Sequence, residues 1–483
     1  MEDKFNFNVF ICSKRLRDST IKRSRKIDQF YSDRSRIIFS SSFRRLQQKA
    51  QVFSLEYNAS VRTRLTHSLE VSDLGRTLAN NIAHKLKNKK GLSSDGNISE
   101  LVAIVENACL LHDIGNPPFG HFGESAIKDW ATNNIVEFVP CNLDGELDYK
   151  NHCIKENSML SKLVDDFKEF DGNPQGFRIV TKLYTDYDKY SLNLTYSTLL
   201  SILKYPRTTG EILKKGYFKK PGYFRTEEDI VEKIYRDMDL EMNRRFPFVY
   251  IMEAADDIAY CMSDIADGIE KGIITEKNFL NCFKQEWIRN YNNKEIPVKI
   301  PRDEDLRGFN QDISIPWSIK AMNEAVDSFI SKEKAIYVGE ADSLISDKTQ
   351  MGRVLETIKN VSKQILYTSF EAESIEITGY AVIIGILNKY KSVFKMSFEN
   401  FSKVIRNENV DGFDLEKRLI HFIGNRYINA YNYALENIKK TDNDFYIKEW
   451  WLRAHLIIDH ISGMTDEYAL ESYQMMEGIK LMR

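Results

Sequence analysis

Three short motifs, far apart in the chain, constrain this sequence more than anything else in it. They are Leu65-Thr66-His67, Leu111-His112-Asp113, and Asp256 within Glu253-Ala254-Ala255-Asp256-Asp257-Ile258-Ala259-Tyr260. Together they supply two imidazoles and two carboxylates, a mixed N/O set that suits a divalent ion with open positions for water and substrate. His112 and Asp113 close a helical stretch. Adjacent residues on a helix diverge by about 100°, so one ion touches both only if it sits near the helix end. His67 and Asp256 must come from other helices, and the ion would then pin three helices together. The chain has only eight His, and His67, His112 and His121 all fall at or just after these motifs. A lone His or Asp is usually a surface or hydrogen-bonded residue; an ordered set of this kind points to metal ligation.

Helical periodicity dominates the rest. An apolar-periodic stretch runs from near Leu101 to Asp113 and stops at Gly115 and Pro117-Pro118. Val249 to Glu270 reads as a long helix, with Ile251, Ile258, Met262, Ile265 and Ile269 on one stripe and Pro247 just before its start. Leu192 to Lys204, Met351 to Leu366 and Tyr427 to Ile438 also read as helices. His455 to Met476 reads as helix, Gly463 turn, helix. No alternating strand ladder of any length is present; a short hairpin is expected around Asn134 to Tyr149. The expected class is all-α. Residues 1–290 form an N-terminal part whose core spans about 60–270, residues 291–310 a charged, Pro-containing linker or insertion, and residues 311–483 a helical C-terminal extension.

At 483 residues the chain can bury one large core or more than one. A net charge of −2 announces neither nucleic acid nor membrane. The six Cys are scattered with no Cys-x-x-Cys pair, which argues against a zinc ribbon or a disulfide framework and for a reducing compartment. The N-terminus lacks a signal-peptide pattern, and the longest apolar run, near Ile377 to Leu387, is too short to span a bilayer. A cytoplasmic protein, not bound to membrane, is the expectation. Charge is nonetheless uneven: between Lys14 and Arg45 eleven Lys/Arg face three Asp. That band is either a solvated surface or a contact for a polyanion, the phosphates of a nucleotide or of a nucleic acid.

Further motifs sit beside the metal set. His121 and Glu124, in Phe119-Gly120-His121-Phe122-Gly123-Glu124, are three apart and can face each other on a helical turn. A carboxylate beside an imidazole fixes its tautomer and favours its protonated form, which is what a departing alkoxide needs. Alone, the pair could equally be a helix-start hydrogen bond. Asp256, Tyr260 and Asp264 are spaced by four and line one stripe. That stripe is either a solvent face or, if Asp256 holds an ion, part of a pocket. Arg64 precedes His67 by three residues, and Lys204-Tyr205 ends a helix. Either cation could meet phosphate oxygens or simply be a surface charge.

These residues carry a resemblance. An adjacent His-Asp pair with a distant His before it and a distant Asp after it is similar to the HD metal-dependent phosphohydrolases. The runs Phe43 to Phe53, Arg62 to Val71, Leu110 to Glu124, Met252 to Tyr260 and Ile461 to Ala469 resemble, more narrowly, the bacterial deoxyguanosine triphosphate triphosphohydrolases. The resemblance implies an all-helical HD fold with extensions, a divalent metal cofactor (Mg²⁺ or Mn²⁺), and a homo-oligomer such as a hexamer. It implies hydrolysis of a dNTP, with dGTP favoured, at the α-phosphate to give deoxynucleoside and inorganic tripolyphosphate. By the same resemblance His67, His112, Asp113 and Asp256 hold the ion, and His121 with Glu124 is the catalytic pair. Arg64, Lys204 and Tyr260 meet the triphosphate and sugar, while Gln51, Val52, Tyr205 and Asp264 line the nucleoside end.

Other readings stay open at this point. Another HD phosphohydrolase, acting on nucleoside monophosphates or phosphodiesters, shares the metal set. A non-catalytic module that senses nucleotides or binds single-stranded DNA would keep the fold, although no ligand of the set is missing here. An enzyme with single-stranded DNA as effector combines the two.

Overall fold

The protein is described from a computed structural model covering residues 5–89, 91–148, 153–156, 158–186, 188–211, 218–292 and 294–480. The described chain is overwhelmingly helical, an all-α fold. Its one sheet among the described residues is a two-stranded antiparallel pair, Leu147–Asp148 with Cys153–Ile154. The hairpin expected around Asn134 to Tyr149 is therefore displaced. Trp130–Asn134 and Ile135–Phe138 are helical turns, with Trp130, Ile135 and Phe138 buried, so packing of these large side chains overrides their strand propensity. Tyr149 itself lies outside the described residues. No described helix is long and apolar enough to cross a membrane.

The chain divides into two compact units, each assembled from three stretches of sequence. The first comprises 1–113, 194–206 and 231–375. Its centre is the Val249–Glu270 helix, which packs against Arg64–Asn88, Asp95–Leu111, Tyr196–Ile202, Ile315–Ser331 and Gln350–Ile365. A helix surrounded in this way must be apolar on nearly every face, and Val249, Ile251, Ala255, Ile258 and Ile265 are all fully buried. The Arg64–Asn88 and Asp95–Leu111 helices approach closely at Gly75. A Cβ there would run into Cys109 Sγ, so the sequence needs glycine at that crossing.

The second unit comprises 114–193, 207–230 and 376–483. Its Phe445–Ser462 helix packs against Met159–Lys168 and Asn425–Leu435. Buried charge is prominent here. Arg178 bonds both Asp459 (Nη2 to Oδ2, 2.8 Å) and Glu227 (Nη1 to Oε1, 3.0 Å). Asp166, fully buried, accepts from Arg225 N–H (3.0 Å), Trp451 Nε1 (3.1 Å), His455 Nε2 (2.9 Å) and the Thr209 hydroxyl. Burial pushes the Asp166 carboxyl up to about 6, against the pull of those donors.

Candidate metal centre

The first unit's site begins at a helix cap. Thr63 accepts from Thr66 N–H, and Thr66 Oγ1 accepts from Thr63 N–H at 3.0 Å, a reciprocal capping box that starts the Arg64–Asn88 helix. Arg64 and His67 thus lie in its first turn. The Asp95–Leu111 helix ends with His112 as its C-cap, and Asp256 sits in the second turn of Val249–Glu270. Three helices meet at these residues, as the motif spacing requires.

The geometry is close. His67, His112 and Asp113 each offer a ligand atom within 4.8 Å of the others. Asp256 Oδ1 lies 3.4 Å from His67 Nε2 and 3.5 Å from His112 Nε2, and Asp113 Oδ1 lies 3.7 Å from His112 Nε2. His112 Nδ1 bonds the Cys109 carbonyl at 2.7 Å, so Nδ1 carries the proton and Nε2 presents its lone pair. Both Nε2 atoms, of His67 and His112, are buried without a hydrogen-bond partner. Such atoms are costly to leave unsatisfied. A divalent ion among the two imidazoles and two carboxylates would give them the partner they lack, and the donor set fits one. Burial would raise both carboxyls; it is outweighed by the imidazoles and Arg64, which hold Asp113 at about 2. The imidazoles and Lys204 hold Asp256 well below the usual carboxylate range. Both are therefore anionic at neutral pH.

Cations surround the carboxylates. Arg64 Nη1 donates to Asp113 Oδ2 at 2.7 Å. Lys204 Nζ is 3.7 Å from Asp256 Oδ2 and 4.0 Å from Glu253 Oε1, and although burial opposes its charge these two acids raise its pKa. Arg245 pairs with Glu253 at 2.7 Å, and Lys359 with Asp257 at 2.9 Å. Neither Arg245 nor Lys359 stands out in the sequence, because nothing in its local pattern separates it from a surface cation.

The Asp256 stripe is not a solvent face. Asp264 is 1% exposed and Tyr260 half-buried. Tyr260 and Tyr367 share a hydrogen bond through their hydroxyls, and Tyr367 donates to Asp264 Oδ2. Asp264 Oδ1 is buried without a partner, and burial pushes this carboxyl up to about 7. Tyr367 lies just past the Gln350–Ile365 helix and is a residue the sequence reading missed. Gln51 is half-buried with its Oε1 unsatisfied. Val52 packs on the Phe53, Val61 and Ala372 cluster, so it is first of all a packing residue. Tyr205 is buried, 8% exposed.

His121 and Glu124 belong to the second unit. They lie in the Gly120–Asp129 helix, which is entered through Phe119 at φ 61° and Gly120 at φ 57°. A phenylalanine in this left-handed region is strained. Its N–H is held by Asp466 Oδ1 at 3.0 Å, and its ring lies where a side chain at Gly379 would sit. His121 Nδ1 bonds Glu124 Oε2 at 3.1 Å; the imidazole is 86% exposed and the carboxylate 6%.

Compared with known protein families, residues 64–164 match the HD domain. The match takes in Arg64, His67, His112, Asp113, His121 and Glu124, and leaves Lys204, Asp256, Tyr260 and Asp264 outside.

Proposed function

From a chain that carries an HD domain, and with it the character of a metal-dependent phosphohydrolase, we propose a deoxynucleoside triphosphate triphosphohydrolase. It cuts the substrate, dGTP by preference, at the α-phosphate and releases deoxynucleoside and tripolyphosphate. The observation that carries the reading is the pair of buried, partnerless Nε2 atoms of His67 and His112 facing Asp256, with cations on the outer oxygens of the carboxylates. Several cations beside the same carboxylates suit a substrate that brings more than one phosphate.

His67, His112, Asp113 and Asp256 would hold a divalent ion, Mg²⁺ or Mn²⁺, which would supply Lewis acidity and a more acidic water. Arg64 and Lys204 offset the charge that grows on the phosphate oxygens. Lys359 adds a third cation to that role. His121, held by Glu124, gives its proton to the leaving 5′ oxygen. Tyr260, Tyr367 and Asp264 offer hydroxyl and carboxyl groups to the sugar, and Gln51, Val52 and Tyr205 border the nucleoside. The protein works as a homo-oligomer.

The test is to incubate the purified protein with each of the four dNTPs and Mg²⁺ or Mn²⁺ in ¹⁸O-labelled water and resolve the products. Tripolyphosphate carrying the label, with unlabelled nucleoside, is expected. Label in the nucleoside 5′-OH means C–O cleavage and refutes the reading. Pyrophosphate plus dNMP, or orthophosphate, moves the chemistry to another bond and refutes it as well.

A further inference from the structure

Glu124 is held from both sides. One oxygen, Oε2, takes His121 Nδ1; the other, Oε1, accepts the backbone N–H of Gly172 at 2.8 Å. Gly172 opens the Gly172–Arg178 helix, whose N-cap, Asp171, accepts from Asn173 N–H at 3.0 Å and is itself paired with Lys220 at 2.6 Å. The donor therefore belongs to a fixed turn. The segment just before His121 is pressed against the same turn. A Cβ on Gly115 would collide with the Gly172 carbonyl oxygen and with Gly176 N, and a Cβ on Gly172 would collide with Asn116 Oδ1 and crowd Glu124 Oε1 at 3.2 Å. At Gly115 backbone meets backbone, and only glycine permits it; at Gly172 the atoms in the way are the side-chain oxygens of Asn116 and Glu124.

We infer that Gly172 is a positioning residue for the His121–Glu124 pair: its N–H and its missing side chain set where the Glu124 carboxylate stands, and through it where the exposed imidazole points. The 86% exposed His121 has no packing to orient it, so its direction depends on Glu124, and the direction of Glu124 depends on Gly172. The sequence marks the place only as a turn, Asp171-Gly172-Asn173-Pro174-Gln175-Gly176.

The catalytic half of this inference rests on the function proposed above. In Gly172→Ala, kcat on dGTP should fall on the order of 10²-fold, the loss that a misplacement of about 1 Å brings. KM and metal content should be unchanged. In a Glu124→Ala background the same change should cost nothing further, since there is no carboxylate left to place. Adding Asn116→Ala to Gly172→Ala removes the worst collision and should recover part of kcat. A loss that adds fully to that of Glu124→Ala, or an unchanged kcat, overturns the inference. If His121→Ala turns over normally, the catalytic role given to His121 is at fault instead. Independently of any substrate or of how Gly172→Ala folds, amide hydrogen exchange decides the contact. The Gly172 N–H should exchange slowly in the unaltered protein and at least tenfold faster in Glu124→Ala; equal rates refute it.

Discussion

Arg64 Nη1 and Asp113 Oδ2 are 2.7 Å apart, a charge-assisted bond that takes the outer oxygen of the carboxylate and leaves Oδ1 on the side of His112. Under the proposed function, Arg64 orients a metal ligand as well as meeting phosphate. Arg64→Ala should weaken Mn²⁺ binding by about 10–100-fold, the usual cost of losing a residue that orients a ligand. Titration calorimetry with Mn²⁺ in the absence of nucleotide measures it. Unchanged affinity would restrict Arg64 to substrate.

Asp256 faces both imidazoles, those of His67 and His112. Asp256→Ala should remove bound metal and turnover together, and Asp113→Ala should do the same. Elemental analysis of the purified variants checks this; full occupancy in both would show the ion lies elsewhere.

His121→Ala should separate chemistry from binding. Metal content and KM should hold, while kcat falls about 10²–10⁴-fold, the range for a general acid. Steady-state kinetics across pH test it, and near-normal turnover with an unchanged profile makes His121 structural.

Asp166 should make the second unit's stability depend on pH. Its folded pKa, about 6, is above the ordinary 3.8, so the folded state holds the proton more tightly than the unfolded chain does. That contribution is full below about pH 4 and is lost as pH rises toward 6, a change on the order of 3 kcal/mol. Asp166→Asn should flatten this part of the profile. Denaturation midpoints of the two proteins between pH 4 and 7 should converge or diverge accordingly; parallel curves contradict the assignment.

The basic N-terminal band divides in two. Arg15 is buried on Asp33 at 2.6 Å, whereas Lys22, Arg25 and Lys26 are exposed, with Arg23 half-buried beside them. Breaking the buried pair with Arg15→Ala should cost about 3–5 kcal/mol of stability. Neutralising Lys22, Arg23, Arg25 and Lys26 should leave stability nearly intact; if the exposed half is a contact for single-stranded DNA, it should also weaken a binding that falls steeply with salt. Binding that is absent at low salt, or that ignores these changes, removes DNA as an effector.

Several of these features were legible in the sequence, and for identifiable reasons. The Val249–Glu270 helix could be read to its ends because its apolar residues recur at helical spacing between Pro247 and Gly272. The meeting of His67, His112, Asp113 and Asp256 could be read because metal chemistry needs few residue types in a fixed order. Tyr367 and Lys359 could not, since each acts on a partner about a hundred positions away and looks locally like any Tyr or Lys. Buried pairs such as Arg178 with Asp459 escaped for the same reason. The misplaced hairpin shows the limit of local propensity, because Trp130 and Phe138 are governed by what they pack against.

Each unit is stitched from three separated stretches, and the first boundary falls at the peptide bond after Asp113. Neither unit is a continuous piece of chain, so no single truncation or proteolytic cut can release either one whole. The ribosome delivers the last portion of the second unit only after all of the first, and that unit must wait, incomplete, for residues 376–483. The chain passes between the two units five times, so an insertion at any crossing touches both.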